Sequence, residues 1–175
     1  MNADIAIMLG NLSKSLMPVQ ELIAGLGYLI GLLMMITALT KLKKIGDSRA
    51  RGSSNEKMFG PLAFFLGGSA LIFLPTALTV LSNTAFGTSN VLQYIKYKPY
   101  DIMNSIKIII KTAGLIWFVR GCVLLVQASE PGVQHGPKGL AFLCAGVMAV
   151  NFEGAVEILN YIIAKFIHLT EPVGS

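Results

Sequence analysis

The chain has 175 residues, 54% of them hydrophobic and only 13% charged, with a net charge of +5 and a mean hydropathy of +0.66. A soluble domain carries about 25% charged residues, so this composition excludes an ordinary water-facing surface and points to an all-α integral membrane protein. The basic excess is gathered beside apolar runs, which reads as a topology signal, and no direct nucleic-acid binding is expected.

At the N-terminus, Ile5, Met8, Leu9, Leu12 and Leu16 share one helix face, and Pro18 limits the run. The spacing predicts a short amphipathic helix on the outer membrane surface; the alternative is a soluble arm docked on the same protein. A secretory signal would place positive charge before its apolar stretch. Here only Lys14 lies within the first twenty residues and the basic cluster follows the first apolar run, which suits a retained helix with its N-terminus outside.

Leu22 to Thr40 is 19 residues without a charge, close to the roughly 20 needed to cross the hydrocarbon core. Gly25, Gly27 and Gly31 notch this first span, and GxxxG notches let backbones approach, within one chain or between copies. The next segment holds Lys41, Lys43, Lys44, Arg49, Arg51 and Lys57, six of the 14 basic residues. The positive-inside rule makes it cytoplasmic, and such a segment also attracts anionic lipid headgroups. Phospholipid is therefore the one bound molecule in view; no cofactor is expected.

Met58 to Ile95 is uncharged. Its dense part, roughly 61–81, predicts a second span, with Pro61 in the first turn, Gly67 and Gly68 as packing notches and a kink at Pro75. An outer loop over 82–100 follows, where Tyr94, Tyr97 and Tyr100 read as headgroup anchors. Residues 108–126 predict a third span with Lys111 and Arg120 inside it, and 140–164 a fourth with Gly146, Glu153 and Glu157 inside it. The Gly/Pro turn over 128–139 joins them inside the cell. The expectation is four spans in two hairpins, divided near residue 85, with both termini outside.

The two halves resemble each other. Leu62-Ala63-Phe64 matches Leu140-Ala141-Phe142 at an offset of 78, which also aligns Gly68 with Gly146, Ala77 with Ala155 and Leu81 with Leu159. Ala24-Gly25-Leu26 matches Ala113-Gly114-Leu115 at an offset of 89. A parallel tandem repeat and chance similarity among common membrane residues both stay open.

No phosphate-binding glycine loop, zinc spacing or nucleophile elbow occurs, so an enzyme is not expected. His135 and His168 are isolated, and metal binding is not expected either. Glu153 and Glu157, four apart, share a helix face. Counting back equally from the turn places Lys111 at their depth and Arg120 nearer the cytoplasmic headgroups. The plain reading is a structural ion pair, and the sharper one an ion relay. The same count sets Cys122 beside Cys144, as small core residues in a reducing compartment.

Two stretches carry a family resemblance: Gly114-Leu115-Ile116-Trp117-Phe118-Val119-Arg120-Gly121, and Gly139 through Gly146-Val147-Met148-Ala149-Val150-Asn151 to Phe152-Glu153-Gly154. Together they resemble the IcmC/DotE family of small inner-membrane proteins of type IVB secretion systems and their relatives in I-type conjugation (TraQ-like). The resemblance implies a structural component of a bacterial inner-membrane apparatus, with other apparatus subunits as partners and no catalytic residue; a homo-oligomer is expected besides. Each half also resembles the plan of a conjugative pilin, two apolar helices around a basic loop, so a pilus subunit polymerising with phospholipid is the alternative. A small channel or holin is a third.

Overall fold

The structure is a computed structural model that describes residues 2–52, 58–87 and 102–170. Among these residues every regular element is a helix: α1 (Asn2–Ala50), α2 (Phe59–Ile72), α3 (Leu74–Phe86), α4 (Ile102–Gln127), α5 (Gly136–Val150) and α6 (Phe152–Thr170). Two helices, α1 and α4, are long and apolar enough to cross a membrane, and there are up to four spans if each bent pair counts as one. Lys57 and Tyr94, Tyr97 and Tyr100 lie outside the described residues.

The N-terminal segment is not a separate helix. α1 runs unbroken through Pro18 for 49 residues, about 73 Å at the α-helical rise. Proline removes one backbone bond and crowds the preceding turn, at a cost of about 3 kcal/mol. Here side chains on both sides of it are fixed to α4: Ser13 Oγ shares a hydrogen bond with Ser105 Oγ at 3.4 Å, and Gln20 Nε2 donates to Thr112 Oγ1 at 2.8 Å. Those lateral ties hold the helix continuous where an isolated segment would end.

The kink expected at Pro75 is a full break. α2 stops at Phe73, whose φ of −100° and ψ of 39° leave the helical region, and α3 departs at 98°. Pro75 sits in the first turn of α3, where its missing N–H has no partner to lose. The fourth expected span is also broken, at Asn151 (φ −107°, ψ 56°), with α6 leaving α5 at 100°. The breaks are 78 positions apart, the same offset that relates the two sequences. α2 and α5, at 14 and 15 residues, are each only about 21–22 Å long.

Packing is by glycine in both halves. A Cβ on Gly31 would lie 2.8 Å from the Gly68 carbonyl oxygen, and one on Gly68 would lie 2.9 Å from that of Gly31. α1 and α2 therefore touch backbone to backbone. In the second half the contacts pair Gly114 with Val150, Phe118 with Gly146, Gly121 with Leu143, and Leu125 with Gly139. Each step forward on α4 is matched by an equal step back on α5, an antiparallel register. Phe118, Leu71 and Leu78 are fully buried at the centre. Outside them, Leu22, Leu26, Leu29, Leu33 and Ile36 form an exposed apolar stripe along α1, a surface that suits lipid and not water.

These contacts correct two expectations. Gly25 is exposed with open space around it, so it notches no contact within this chain. Gly31 and Met35 meet Gly68 as Gly114 and Phe118 meet Gly146. The first helices thus correspond at an offset of 83, and the Gly25–Gly114 match at 89 is not structural. Also, Cys122 is buried while Cys144 is exposed, and the α4–α5 register sets Phe142 opposite Cys122. Counting from an idealised turn misplaced α5 by nearly a helical turn.

Candidate functional site

The feature that organises the polar residues is the seam between α1 and α4. Ser13 meets Ser105, Gln20 meets Thr112, and Gly27 faces Val119. Each pair is 92 positions apart and each step is seven residues. Constant separation means that the helices run parallel, and a seven-residue repeat is the signature of helices wound around each other. On α4, Ser105, Ile108, Thr112, Leu115, Cys122 and Val126 are all buried along this stripe. The seam is polar at its first end and apolar from Gly27 onward.

Ser13 Oγ donates its one proton to the Gly10 carbonyl at 2.9 Å when Ser105 Oγ donates to it, and Thr112 Oγ1 donates to the Ile108 carbonyl at 2.8 Å. Hydroxyls that can satisfy themselves on their own helix tolerate burial. Gln20 reaches across both, its Nε2 also 3.5 Å from the Ile108 carbonyl. Nothing in the apolar count of the sequence marked Ser13, Gln20, Ser105 and Thr112. Their seven-residue spacing was the available signal.

The charges expected inside the membrane divide into three groups. Glu153 and Glu157 both lie on α6, beyond the break, and both are exposed, so these two are not a buried acid pair. Glu153 is bound by Lys107, one turn before Lys111 on α4. Lys111 is half-buried and within electrostatic reach of Glu153. Sequence reasoning passed over Lys107 because it lay outside the charge-poor run. Arg120 is exposed, with its guanidinium 5.1 Å from the centre of the Phe142 ring. That cation–π contact shelters one face of the guanidinium on an otherwise apolar helix.

At the opposite end, Lys41 Nζ binds Glu130 Oε1 at 2.6 Å and stands 4.0 Å over the Phe64 ring. This pair ties α1 to the turn after α4, so the basic segment and the 128–135 turn share one side. Lys41, Lys44, Phe59, Gly60, Ser129 and Glu130 line an open cleft of about 700 Å³ there. Lys43, Lys44, Arg49 and Arg51 are exposed, a cationic rim suited to lipid phosphate. A second, wholly apolar groove of about 370 Å³ lies between α1 and α2, lined by Leu39, Leu42, Met58, Leu62 and Phe65.

The glycine sites resolve in the same terms. Gly31 is filled by α2 of the same chain, Gly27 faces Leu74 of α3 and Val119 of α4, and Gly67 faces Val126 of α4. These notches serve folding within one chain. Gly114, Gly121, Gly139 and Gly146 form the second set, with seven residues separating the members on each helix. Among the described residues, no three His, Cys, Asp or Glu side chains group where they could hold a metal. No protein-family model, curated protein or solved structure matches the chain.

Proposed function

We propose that the chain is a structural, non-catalytic subunit of a bacterial inner-membrane apparatus of the type IVB secretion or conjugation class. In this reading its two hairpins are a parallel tandem repeat crossing the membrane four times, with both termini periplasmic. The observation that carries it is the shape of the α1–α4 pair. Both helices continue past the charge-free run of α1 as a bonded, parallel couple, and that couple exposes Met8 (72%), Leu12 (50%) and Met103 (61%). Apolar side chains exposed beyond the charge-free run are available to a protein partner or to lipid. A scaffold needs such a surface; a lone lipid-embedded bundle does not.

Two further facts support the reading. The stretches that resemble the IcmC/DotE family, 114–121 and 139–154, hold the four glycines of the α4–α5 contact. The basic segment and the turn after α4 share one side, as the positive-inside rule requires of a cytoplasmic face. The cationic cleft at that side suits an anionic phospholipid.

The test is photo-crosslinking in living cells from positions 8 and 103, with cell fractionation. Adducts to other apparatus subunits, in protein retained by the inner membrane, are the expected result. Recovery of most of the chain in sheared extracellular material would replace the scaffold with a pilus subunit. Adducts to lipid alone at both positions would remove the docking surface and leave the small channel as the better reading.

A further inference from the structure

α6 is exposed at every residue from Val156 to Ile167, yet its surface is sorted. At 3.6 residues per turn, Phe152, Val156, Leu159, Ile163 and Phe166 fall on one face. Glu153, Glu157 and Lys165 fall on the far arc, where Tyr161 and Ile158 also lie, and Asn160 falls at its border. A helix of this pattern, apolar on one side and charged on the other, partitions to the boundary between lipid and water.

Two independent registers fix the depth of this helix. The α4–α5 contacts run Asn151 to the level of residue 113 on α4. The α1–α4 seam, at its separation of 92, carries that level across to Glu21. Glu21 is the last charged residue before the charge-free run of α1. α6 therefore begins where charge stops, at the membrane edge away from the basic segment. Lys107, just beyond that edge on α4, binds Glu153 and holds the polar arc outward. Because α5 packs antiparallel to α4 and α6 leaves it at 100°, α6 runs along the membrane plane.

We infer that α6 is an in-plane helix whose partner is the bilayer surface itself. The Phe152–Phe166 face rests among acyl chains, and the Glu153–Glu157–Lys165 arc faces water. The second half of the chain then crosses the membrane through α4 and α5 and stops at that surface.

The test uses the full chain in vesicles of phosphatidylethanolamine and phosphatidylglycerol, with spin labels placed singly at 156, 157, 159, 160, 163 and 166. Electron paramagnetic resonance reads the access of oxygen and of a water-soluble nickel complex. Six separate sites keep the result readable if one label disturbs folding, and vesicle-bound protein with unchanged helicity is the condition for scoring a site. The expected pattern oscillates with the helix period, with nickel access several-fold higher at 157 and 160 than at 156, 159 and 163. A depth that increases steadily from 156 to 166 would overturn the inference, because α6 would then penetrate the bilayer. High nickel access at all six sites would overturn it as well.

Discussion

α2 breaks at Phe73 and α5 at Asn151, each into a helix nearly perpendicular to it, yet α3 is packed and α6 is exposed. α3 carries no charge and buries Leu74, Leu78 and Ser82, spaced four apart, against the bundle. α6 buries almost nothing and sorts its residues into apolar and charged faces. The starts of the two helices also differ. α3 has Pro75 in its first turn and no side-chain cap, whereas Asn151 Oδ1 accepts the Gly154 N–H at 3.4 Å, the role of an N-cap. One backbone plan thus supports two outcomes, and side-chain pattern after the break decides which.

The hairpins differ in the same way before the break. The second is held by backbone contacts at four glycines spread along two helices, while the first concentrates its backbone contact at Gly31 and Gly68, with Gly27 against side chains. Substitution in the second hairpin is therefore expected to do the most damage. A Cβ at Gly146 would lie 2.6 Å from the Phe118 amide nitrogen, and one at Gly121 would lie 2.6 Å from that of Leu143. Neither neighbour is a side chain that can turn away. Overpacking of a core costs about 1–3 kcal/mol and occasionally more, and Gly146→Leu or Gly121→Leu should reach or pass the top of that range. Loss of folded, detergent-extractable protein would report it. Gly25→Leu, facing open space, should leave stability within about 0.5 kcal/mol of the parent.

Gly31→Leu should come next, separating α1 from α2 while the α4–α5 contact survives. Thermal unfolding followed separately by labels in each half would show a lower midpoint in the first half alone. Equal losses in both halves would mean that the hairpins do not act as units. Asn151→Ala should be smaller still, about 1 kcal/mol, the usual worth of an N-cap. Hydrogen exchange at the first turn of α6 should rise while that of α3 stays unchanged. The smallest effect belongs to Lys107 and Glu153. Their pair is partly exposed, at 32% and 69% of side-chain surface, so a double-mutant cycle should give a coupling below about 1 kcal/mol. A coupling of several kcal/mol would place the pair in a dry interior, contrary to the exposed position of Glu153.

Much of the fold was legible in the residues. The charge-free run of α1, the break announced by Pro75, and the glycines at 31, 68 and 146 all appear in the structure. The continuity of α1 through Pro18 was not legible, because it depends on Ser13 and Gln20 bonding residues 92 positions away. The break at Asn151 has no proline to mark it. The offset of 78 carries Phe73 onto Asn151, so the internal match held that information, but the density of apolar residues over 140–164 reads as one continuous span. That reading buried Glu153 and Glu157 and set Lys111 as their partner. Once α6 turns aside, the acids sit at the surface and Lys107 takes Glu153. The sequence positions were right, and the error came from assuming one straight helix.

The arrangement rests on α1 and α4 running parallel, since this puts the basic segment and the 128–135 turn on one side and the starts of α3 and α6 toward the other. Ser13 Oγ and Ser105 Oγ are 3.4 Å apart, within the reach of a disulfide if both become cysteine. In a chain carrying Cys122→Ser and Cys144→Ser, Ser13→Cys with Ser105→Cys should oxidise in native membranes to a crosslink within one chain, seen as a faster band at monomer mass. An antiparallel pair would bring residue 13 near the other end of α4 instead. Failure of the 13–105 pair to close, together with ready closure of Ser13→Cys onto Ala128→Cys, would contradict the account.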